Sequence, residues 1–366
     1  MPKVGVDGRE LRPGVRSGIR RYLVEVLRAL SRAGWPCVVY GDRGSALDEA
    51  LPGVAARVLP GSWTQVWDQV SLPRALREDG ASVFLSPYYK GPLRAPCPVV
   101  LTIHDLYFIA YPGRPRPLRD AVLIRVARLY ARRAAAIVAD SEHSRRQIVA
   151  RLRIDPARVT VIPVALGREF TPAAPAAGVR YGITSSYILY VGNFRPHKNL
   201  PRLLAAYAAL PAPLRAAHAL VLAGGDRAGR PALEALAREL GVADRVVFPG
   251  LVDDRDLPGL YAGATAAVLP SLEEGFGLPA LEAMACGTPV VVSNRGALPE
   301  LVAEAGLVAD AERPADLAGA LARVLADPGV RAELRRRGLA RAGLYTAERT
   351  AGRVLDLLRR VAEGRR

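Results

Sequence analysis

Short apolar runs alternate with longer amphipathic stretches along most of this 366-residue chain. In the first half the apolar runs predict buried strands at residues 4–7, 37–40, 83–86, 99–104, 136–140 and 159–163. The amphipathic stretches between them predict helices, most clearly at 19–31 and 118–134. Apolar strands that alternate with helices are typical of a parallel sheet that helices cover.

The alternation stops over residues 168–182, which hold prolines, several alanines and little periodicity, and it then starts again. Further strands are predicted at 187–191, 219–223, 246–248, 266–270 and 289–293, with helices at 199–210 and 346–361. We therefore predict an α/β protein of two doubly wound Rossmann-like domains that face a cleft, with ligands at the carboxyl ends of the strands.

The domain boundaries follow from the same pattern. We place the first domain at residues 1–170, a linker at 171–185 and the second domain at 186–345. Residues 346–366 are expected to form a terminal helix that packs back toward the first domain. A single core is not expected, because cores stop growing near roughly 250–300 residues.

The apolar runs are all shorter than the roughly 18 uninterrupted residues that a membrane helix needs. The chain also begins with a strand pattern instead of the hydrophobic segment of a signal peptide, so we expect a cytoplasmic location. Cys37, Cys97 and Cys286 lack the CxxC spacing of a zinc or redox site, and their odd number argues against a disulfide framework.

The chain has 51 basic and 35 acidic residues, which give a net charge of +16. This charge favours anionic partners, among them nucleic acid, phospholipid surfaces and diphosphates. A bias of composition toward arginine explains most of the excess, since lysine occurs only at Lys3, Lys90 and Lys198. A nucleic-acid binder would interleave its basic residues with aromatics, which form only 6% of this chain. An NAD enzyme would carry a GxGxxG after an early strand, and none is present.

The stretch at residues 270–290 carries the clearest candidate chemistry. It runs from a predicted strand through a glycine-rich loop into a short helix and on to another strand. The glycines let backbone N–H groups approach a ligand closely, and the N-terminus of the helix favours an anion. The candidate donor-binding residues here are Gly275, Phe276, Gly277, Leu278 and Glu282. The stretch thus predicts a cradle for a diphosphate and a sugar.

Two carboxylates belong to this stretch. Glu274 lies in the loop and Glu282 in the opening turns of the helix, so they should address different parts of one extended ligand. Carboxylates accept hydrogen bonds from the vicinal hydroxyls of a sugar or a ribose. The alternative is that Glu282 complements the helix dipole and that Glu274 is a solvated loop charge.

A second cluster follows the first predicted strand of the second domain, at the same edge of the sheet. It contains Gly192, Arg195, His197 and Lys198. Two cations three residues apart at a strand-to-helix turn can flank a diphosphate and neutralise its charge as it departs. A solvated loop charge is the favoured interpretation for His197 and an open alternative for Arg195. Asn199 is expected to cap the helix that follows.

The first half contributes two candidate sites. His104 and Asp105 end a predicted strand, where doubly wound proteins place their chemistry. The alternative for His104 is a neutral histidine within the core, and Asp105 would either orient it or cap a helix. Gly18 ends a glycine-punctuated loop that runs into a helix, where its backbone could approach a ligand. A plain turn is the alternative for Gly18.

Together these motifs resemble the retaining family 4 glycosyltransferases of the GT-B fold, similar to bacterial mannosyltransferases of surface-polysaccharide synthesis. The resemblance spans essentially the whole chain. Its most specific element is Glu274-x7-Glu282, in the context Glu-Gly-Phe-Gly-Leu-Pro, preceded by the Lys198 loop. The resemblance implies that Glu274 contacts hydroxyls of the transferred sugar and that Glu282 binds the donor ribose. The amides of Gly275, Phe276 and Gly277 would hold sugar and phosphate.

The resemblance also assigns roles outside that stretch. Arg195 and Lys198 would hold the diphosphate, His104 would contact the donor sugar, and Gly18 would face the acceptor and the phosphates. Many relatives have an arginine directly after the glycine, where this chain has Asn193, which weakens the assignment of Arg195. Residues 161–167 lack the family's Pro-Asn-Gly, so a polar contact at that turn is in doubt.

The implied reaction is transfer of a hexose, with mannose from GDP-mannose as the first choice, onto a saccharide or lipid-linked acceptor. A UDP-sugar-dependent transferase of the same fold is one alternative, and a non-enzymatic binder of anionic surfaces or nucleic acid is another. No cofactor and no metal are expected. Asp254-Arg255-Asp256 matches the metal-binding DxD of other glycosyltransferases, but it precedes a predicted helix start, where acidic residues are favoured.

The expected partners are therefore a nucleotide sugar and a saccharide or lipid-linked acceptor, and not nucleic acid. The basic amphipathic helix at 118–134 is compatible with peripheral contact at the inner face of the membrane. An ordinary surface helix is the alternative. The sequence indicates no oligomeric state.

Overall fold

The computed structural model describes residues 1–14, 18–47, 49–61, 63–107, 117–225 and 229–365. The chain divides into two compact units, one of Met1–Ala165 with Ala347–Arg366 and the other of Leu166–Thr346. Residues 171–185, for which the sequence predicted a linker, are counted with the second unit. Within them Arg180 and Tyr181 both donate hydrogen bonds to Asp256.

The first unit contains a parallel sheet in the order β3-β2-β1-β4-β5-β6-β7. Its strands are β1 (Val4–Asp7), β2 (Cys37–Gly41), β3 (Val54–Val58), β4 (Val83–Ser86), β5 (Val99–Ile103), β6 (Ala136–Ala139) and β7 (Val159–Val161). Every residue of β1, β2, β4, β5 and β6 is buried. Burial on both faces is the reason that these strands occur as continuous apolar runs.

Helices connect these strands. They are α1 (Gly18–Arg32), α2 (Thr64–Val66), α3 (Leu72–Glu78), α4 (Pro117–Arg133) and α5 (Glu142–Leu152). A π-helical turn, Trp67–Ser71, joins α2 to α3. The α5 helix begins at a side-chain cap, because the hydroxyl of Ser141 accepts a hydrogen bond from the backbone N–H of Ser144.

The second unit contains a parallel sheet in the order β10-β9-β8-β11-β12-β13. Its strands are β8 (Ser186–Gly192), β9 (His218–Gly224), β10 (Val246–Gly250), β11 (Ala266–Leu269), β12 (Val290–Ser293) and β13 (Gly306–Ala309). In both sheets the strand order reverses beside a central strand, as in doubly wound folds. The predicted α/β class with two Rossmann-like halves is confirmed.

Eight helices of the second unit share one sequence feature. They are α6 (Leu200–Ala208), α7 (Ala212–Ala217), α8 (Arg230–Glu239), α9 (Leu257–Gly263), α10 (Leu278–Ala285), α11 (Leu298–Val302), α12 (Pro314–Ala326) and α13 (Pro328–Ala342). Each has proline at its first or second position. Proline is tolerated there because its missing N–H would have no partner within the helix.

The last helix, α14 (Ala347–Ala362), belongs to the first unit and packs against α1. The guanidinium of Arg359 lies 5.5 Å from the ring centroid of Trp35. The hydroxyl of Thr350 donates a 2.9 Å hydrogen bond to the carbonyl of Pro163. These contacts fix the end of the chain on the first unit.

The sequence prediction missed two strands, β3 and β13. Both are outermost in their sheets, and each has only partly buried or exposed residues along most of its length. In β3 the apolar run is interrupted by Arg57, whereas β13 is a four-residue apolar run that the sequence prediction overlooked.

Candidate active site

Lys198 and Glu274 lie on two loops of the second unit and meet in an ion pair, with Nζ 2.6 Å from Oε1. Lys198 ends a short 3₁₀ turn, Pro196–Lys198, that follows β8, and Glu274 follows β11. Because β8 and β11 are neighbours in the sheet, their carboxyl ends bring the two loops together. Ser271 also donates to Glu274 Oε1, at 2.7 Å. Both charged side chains are only 15% and 13% exposed, respectively, so the pair is shielded from water.

Backbone contacts hold the two loops together. The N–H of Leu272 donates to the carbonyl of His197 at 2.7 Å, and the N–H of Ala297 donates to the carbonyl of Glu274 at 2.9 Å. The buried amide of Asn199 donates to the carbonyls of Pro270 and Ala311, at 2.9 and 2.8 Å. Asn199 is the N-cap residue of α6, as the sequence predicted, but its side chain makes no capping hydrogen bond and joins three loops instead.

His197 lies beside the ion pair and is buried. Burial, with the positive charge of Lys198, lowers the pKa of His197 to about 4, although Glu274 acts in the opposite direction. The ring is therefore neutral at pH 7. The expectation of a solvated loop charge was wrong, because the backbone turn that exposes Arg195 directs the next residues inward.

Gly192 and Gly224 end the neighbouring strands β8 and β9. A Cβ at Gly192 would lie 2.6 Å from the Tyr190 hydroxyl, and one at Gly224 would lie 2.5 Å from the carbonyl oxygen of Gly192. Glycine at 224 lets the ends of the two strands approach closely, and glycine at 192 leaves room for the Tyr190 hydroxyl, which donates to the carbonyl of Asn193. Arg195, just beyond, is exposed, and its guanidinium has no ion-pair or hydrogen-bond partner within the described ranges.

The α10 helix begins at the glycine-rich loop, as the sequence predicted. Gly277 occupies the residue before it with φ 100°, and no side chain caps the helix. Leu278 opens the helix, so the first-turn backbone N–H groups are not taken by a capping side chain. Gly275 precedes Phe276, whose buried ring meets the ring of Tyr345 edge-on at 5.8 Å.

Glu282 lies on the buried side of α10 and is 3% exposed. Its Oε2 accepts a 2.9 Å hydrogen bond from the hydroxyl of Tyr261 in α9. A buried carboxylate needs such donors, because an unpaired charge in the interior is costly. The structure thus holds Glu282 against the neighbouring helix α9.

His104 follows β5 in the first unit, and its Nδ1 lies 2.7 Å from the Asp140 carboxylate. The ring of Tyr22 meets the imidazole edge-on at 5.7 Å, and Ser144 donates to the His104 carbonyl. Burial opposes a charge on this ring, but Asp140, together with Asp105, outweighs burial and raises the pKa of His104. His104 is therefore biased toward the imidazolium form.

Gly18 and Asp256, which the sequence also singled out, both lie where helices begin. Gly18 is the first residue of α1, and residues 15–17 of the loop before it lie outside the described residues. Asp256 precedes α9 but does not cap it, because its carboxylate is held by Arg180 and Tyr181. In the described parts of the chain no group of three or more His, Cys, Asp or Glu side chains is placed to hold a metal ion.

Sequence reasoning missed three of the groups that organise these sites. Asp140 orients His104, a role that the sequence offered to Asp105, and Ser271 and Tyr261 bind the two glutamates. Asp140 is the last residue of one predicted strand and Ser271 directly follows another, so their position at the carboxyl edge of a sheet was the available signal. Tyr261 lies within a helix, and its sequence context indicates no such contact.

Chemically, the second unit offers a cation, a carboxylate and uncapped helix amides at one edge of its sheet. Carboxylates bind sugar hydroxyls, while an ammonium and helix N-terminal amides bind phosphate. The arrangement suits a ligand that combines both groups.

Two family models match the chain. "Glycosyltransferase Family 4" matches residues 16–166, and "Glycosyl transferases group 1" matches residues 182–341. Together they cover most of both units.

Curated relatives and solved structures agree with these matches. The chain is 33% identical to the O-antigen chain mannosyltransferase B of Escherichia coli, covering 75% of this chain and 73% of that protein. It is 32% identical to a D-inositol 3-phosphate glycosyltransferase of Salinispora arenicola, covering 94% and 87% of the two chains. Its fold is similar to that of the sucrose-phosphate synthase of Thermosynechococcus elongatus, with a TM-score of 0.82, 24% identity and full coverage of both chains.

Proposed function

We propose that this chain, which belongs to glycosyltransferase family 4 and has the GT-B fold, transfers a hexose from a nucleotide-diphosphate sugar with retention at the anomeric carbon. The favoured donor is GDP-mannose, and the favoured acceptor is a saccharide or a lipid-linked saccharide. The similarity to an O-antigen mannosyltransferase supports mannose. A UDP-sugar-dependent transferase of the same fold is the alternative.

The observation that carries this proposal is the shielded ion pair between Lys198 and Glu274. We assign Glu274 to hydroxyls of the transferred sugar and Lys198 to the diphosphate. Donor binding would then replace one internal contact with two contacts to the ligand. Arg195, which is exposed and unpaired within the described chain, supplies a second cation for the diphosphate.

The start of α10 completes the donor site in this proposal. The amides of residues 275–277 hold the sugar and the phosphate, and Leu278 opens the helix whose dipole favours the anion. Gly192 keeps the end of β8 open to the ligand. Glu282 is assigned to the ribose hydroxyls, for which its carboxylate would share or exchange the hydrogen bond of Tyr261.

The reaction needs no side-chain nucleophile. The bond between the anomeric carbon and the phosphate oxygen breaks with its electron pair going to the diphosphate, while the acceptor hydroxyl forms its bond on the same face. The hydroxyl proton leaves with the departing phosphate. Lys198, Arg195 and the helix amides neutralise the charge that develops there, and each such contact contributes on the order of 3 kcal/mol. His104, held by Asp140, is assigned to the transferred sugar, and Gly18 to the acceptor side.

The location proposed is cytoplasmic, with a lipid-linked acceptor bringing the protein to the inner face of the membrane. Across the described ranges, no helix has the length and apolar character required to cross a bilayer.

A thermal-shift panel of GDP, UDP, ADP and CDP tests the donor site directly. A nucleotide present at about 100 times its Kd should stabilise the protein by about 2.7 kcal/mol. Lys198→Met should lose most of this shift, whereas Lys3→Met, a lysine before β1, should keep it. If no nucleotide stabilises the wild type, or if the Lys198 variant responds fully, the donor site is misassigned. Product analysis of the anomeric configuration then tests retention.

A further inference from the structure

Two helical segments of the first unit expose large apolar side chains. Helix α4 exposes Leu118, Val122, Val126 and Leu129, and Leu118 is 86% exposed. The segment that begins α2 and runs into the π-helical turn exposes Trp63, Val66 and Val70. Clustered apolar exposure on a folded protein marks an interaction surface, whereas isolated exposed residues do not.

The apolar residues of α4 form a stripe. At about 100° per residue, Leu118, Val122 and Leu129 fall within about 40° of one another on the helix surface. Exposed arginines lie on both sides of that stripe, and they are Arg119, Arg125, Arg132 and Arg133. The one acidic residue of α4, Asp120, falls on the opposite side of the helix and is half-buried. The exposed face of α4 is therefore apolar at its centre and carries arginines at its flanks, of which Arg119 pairs with Asp120 at 3.9 Å.

The second segment lies beside α4. Tyr130 of α4 packs against the hydrophobic cluster that contains Trp67 of the π-helical turn, and Gln69 of the same turn lies close enough to influence the pKa of the Tyr130 phenol. Next to Gln69, Val70 is exposed, and Trp63 at the start of the segment is 73% exposed. Tryptophan prefers the interface between water and lipid, because its ring is apolar and its N–H is polar.

We infer that the exposed face of α4, together with Trp63, Val66 and Val70, docks on the surface of an anionic lipid bilayer. An apolar stripe flanked by arginines is the form of a helix that lies in the membrane interface, where anionic headgroups attract the cations. Arg125 and Arg132 have no ion-pair or side-chain hydrogen-bond partner in the part of the chain that the structure describes. A second copy of the chain is the weaker occupant, since both copies would bring a net charge of +16.

Membrane docking would bring the protein to the lipid-linked acceptor of the proposed function. The biological purpose of docking rests on that proposed function, but the docking itself does not. Vesicle binding requires neither donor nor turnover. A protein that binds nucleotides but not vesicles would remove this inference alone, and one that binds vesicles but no nucleotide would remove the donor site alone.

Co-sedimentation with vesicles tests the charged flanks. The full chain should sediment with vesicles of phosphatidylglycerol and phosphatidylcholine and stay in solution with phosphatidylcholine alone. Arg125→Glu/Arg132→Glu should lower the partition coefficient at least tenfold, given the contribution of each arginine near an anionic surface. Arg353→Glu/Arg360→Glu is the matched control, with two exposed arginines at the same spacing on α14. It makes the same change in net charge and should keep most of the binding.

A second pair of variants tests the apolar stripe. Val122→Asn/Leu129→Gln should weaken binding severalfold, and more strongly at high salt, where only the apolar contribution persists. Leu251→Gln/Val179→Asn, at two side chains of the second unit that are each 81% exposed, should leave binding unchanged.

Tryptophan fluorescence locates the contact. Trp35 and Trp67 are buried, so a change of emission on vesicle addition reports Trp63. A blue shift and protection from acrylamide are expected with anionic vesicles, and Trp63→Phe should abolish both while co-sedimentation persists.

Several outcomes would overturn the inference. They are equal loss of binding in the α4 and α14 charge variants, an unchanged Trp63 environment, or no binding to anionic vesicles. A dimer in sedimentation velocity that the α4 variants dissociate would assign the face to a second copy. Binding of an oligonucleotide that the α4 variants abolish, without vesicle binding, would assign it to nucleic acid.

Discussion

Lys198 is one of three lysines in the chain, and its ammonium is held against Glu274 in a shielded position. Lys198→Met should lower kcat by roughly 10² to 10³, because the departing diphosphate loses a charged contact. Lys198→Arg should restore part of the rate, since a guanidinium also binds phosphate. Steady-state kinetics with each candidate nucleotide sugar measure both effects.

The matched control is Lys3→Met, which removes a lysine just before β1 and should keep the wild-type rate. Circular dichroism should show the same fold in all three variants. Wild-type turnover by a folded Lys198→Met would exclude the lysine from catalysis and leave the ion pair as a structural contact.

A second prediction concerns the proton on His104. Asp140 raises the pKa of His104 against the effect of burial, so the imidazolium persists above its usual pKa near 6.5. The pair therefore stabilises the fold fully below about pH 6.5, and this contribution is lost as pH rises through the raised pKa. Asp140→Asn should lower the pKa below its usual value and destabilise the protein more at pH 5.5 than at pH 9.

NMR titration of the histidine ring protons, with His104→Gln for assignment, measures that pKa. Denaturation at the two pH values measures the stability. Asp105→Asn is the matched control, since Asp105 has a smaller influence on the same ring and should shift the pKa less. An unmoved titration in Asp140→Asn would show that Asp140 does not hold the proton on His104.

At this scale the sequence predicted that the loops of Lys198 and Glu274 lie at the same edge of the second sheet. The sequence did not predict their ion pair, because that contact depends on β8 and β11 being neighbours in the sheet. It did not predict Asp140 as the partner of His104, because that contact depends on β5 and β6 lying side by side. It also placed His197 in solvent, since nothing in the local sequence shows that the turn buries it.

The start of α10 is the element that positions the amides proposed to bind the donor. Gly277 there has φ 100°, and a Cβ would lie 2.5 Å from Leu298 Cδ2 and 3.1 Å from Leu301 Cδ2. Gly277→Ala should lower the free energy of unfolding by about 2–4 kcal/mol, from the left-handed backbone and the added contact together. Guanidinium denaturation measures the change.

Gly319→Ala is the matched control for that substitution. Gly319 lies within α12 of the same unit, and an added Cβ would have no neighbour within 4 Å. Alanine should therefore stabilise this helix by up to about 1 kcal/mol. Stabilisation by alanine at both glycines would mean that helix propensity, and not the geometry of the loop, decides the effect at Gly277.

The elements themselves were predicted well where burial is complete. The central strands of both sheets carry continuous apolar runs because helices cover both faces, whereas the edge strands β3 and β13 were missed. The start of α10 was predicted from Pro279, and the same signal stands at the start of every helix from α6 to α13.

On the scale of the whole chain, the repeated strand–helix pattern predicted two Rossmann-like halves, but the pattern does not encode which strands become neighbours. Long-range contacts set that order, and local propensity carries little information about them. The net charge of +16 likewise did not identify a binding partner, because the partner that it attracts depends on where the arginines lie in the folded units.

At the scale of the whole enzyme, we expect turnover to require no metal ion. A departing diphosphate must be neutralised by a divalent cation or by the protein, and this chain offers Lys198, Arg195 and the amides that begin α10. The one motif that resembles a metal site is engaged elsewhere, because Arg180 and Tyr181 hold Asp256 and lower the pKa of its carboxyl. Turnover should therefore be unchanged in excess EDTA, measured by direct product detection so that no coupling enzyme needs a metal. Asp256→Asn should lower stability but not kcat. Loss of turnover in EDTA that Mn²⁺ restores in the wild type and not in Asp256→Asn would instead make the Asp254-Arg255-Asp256 segment a metal site.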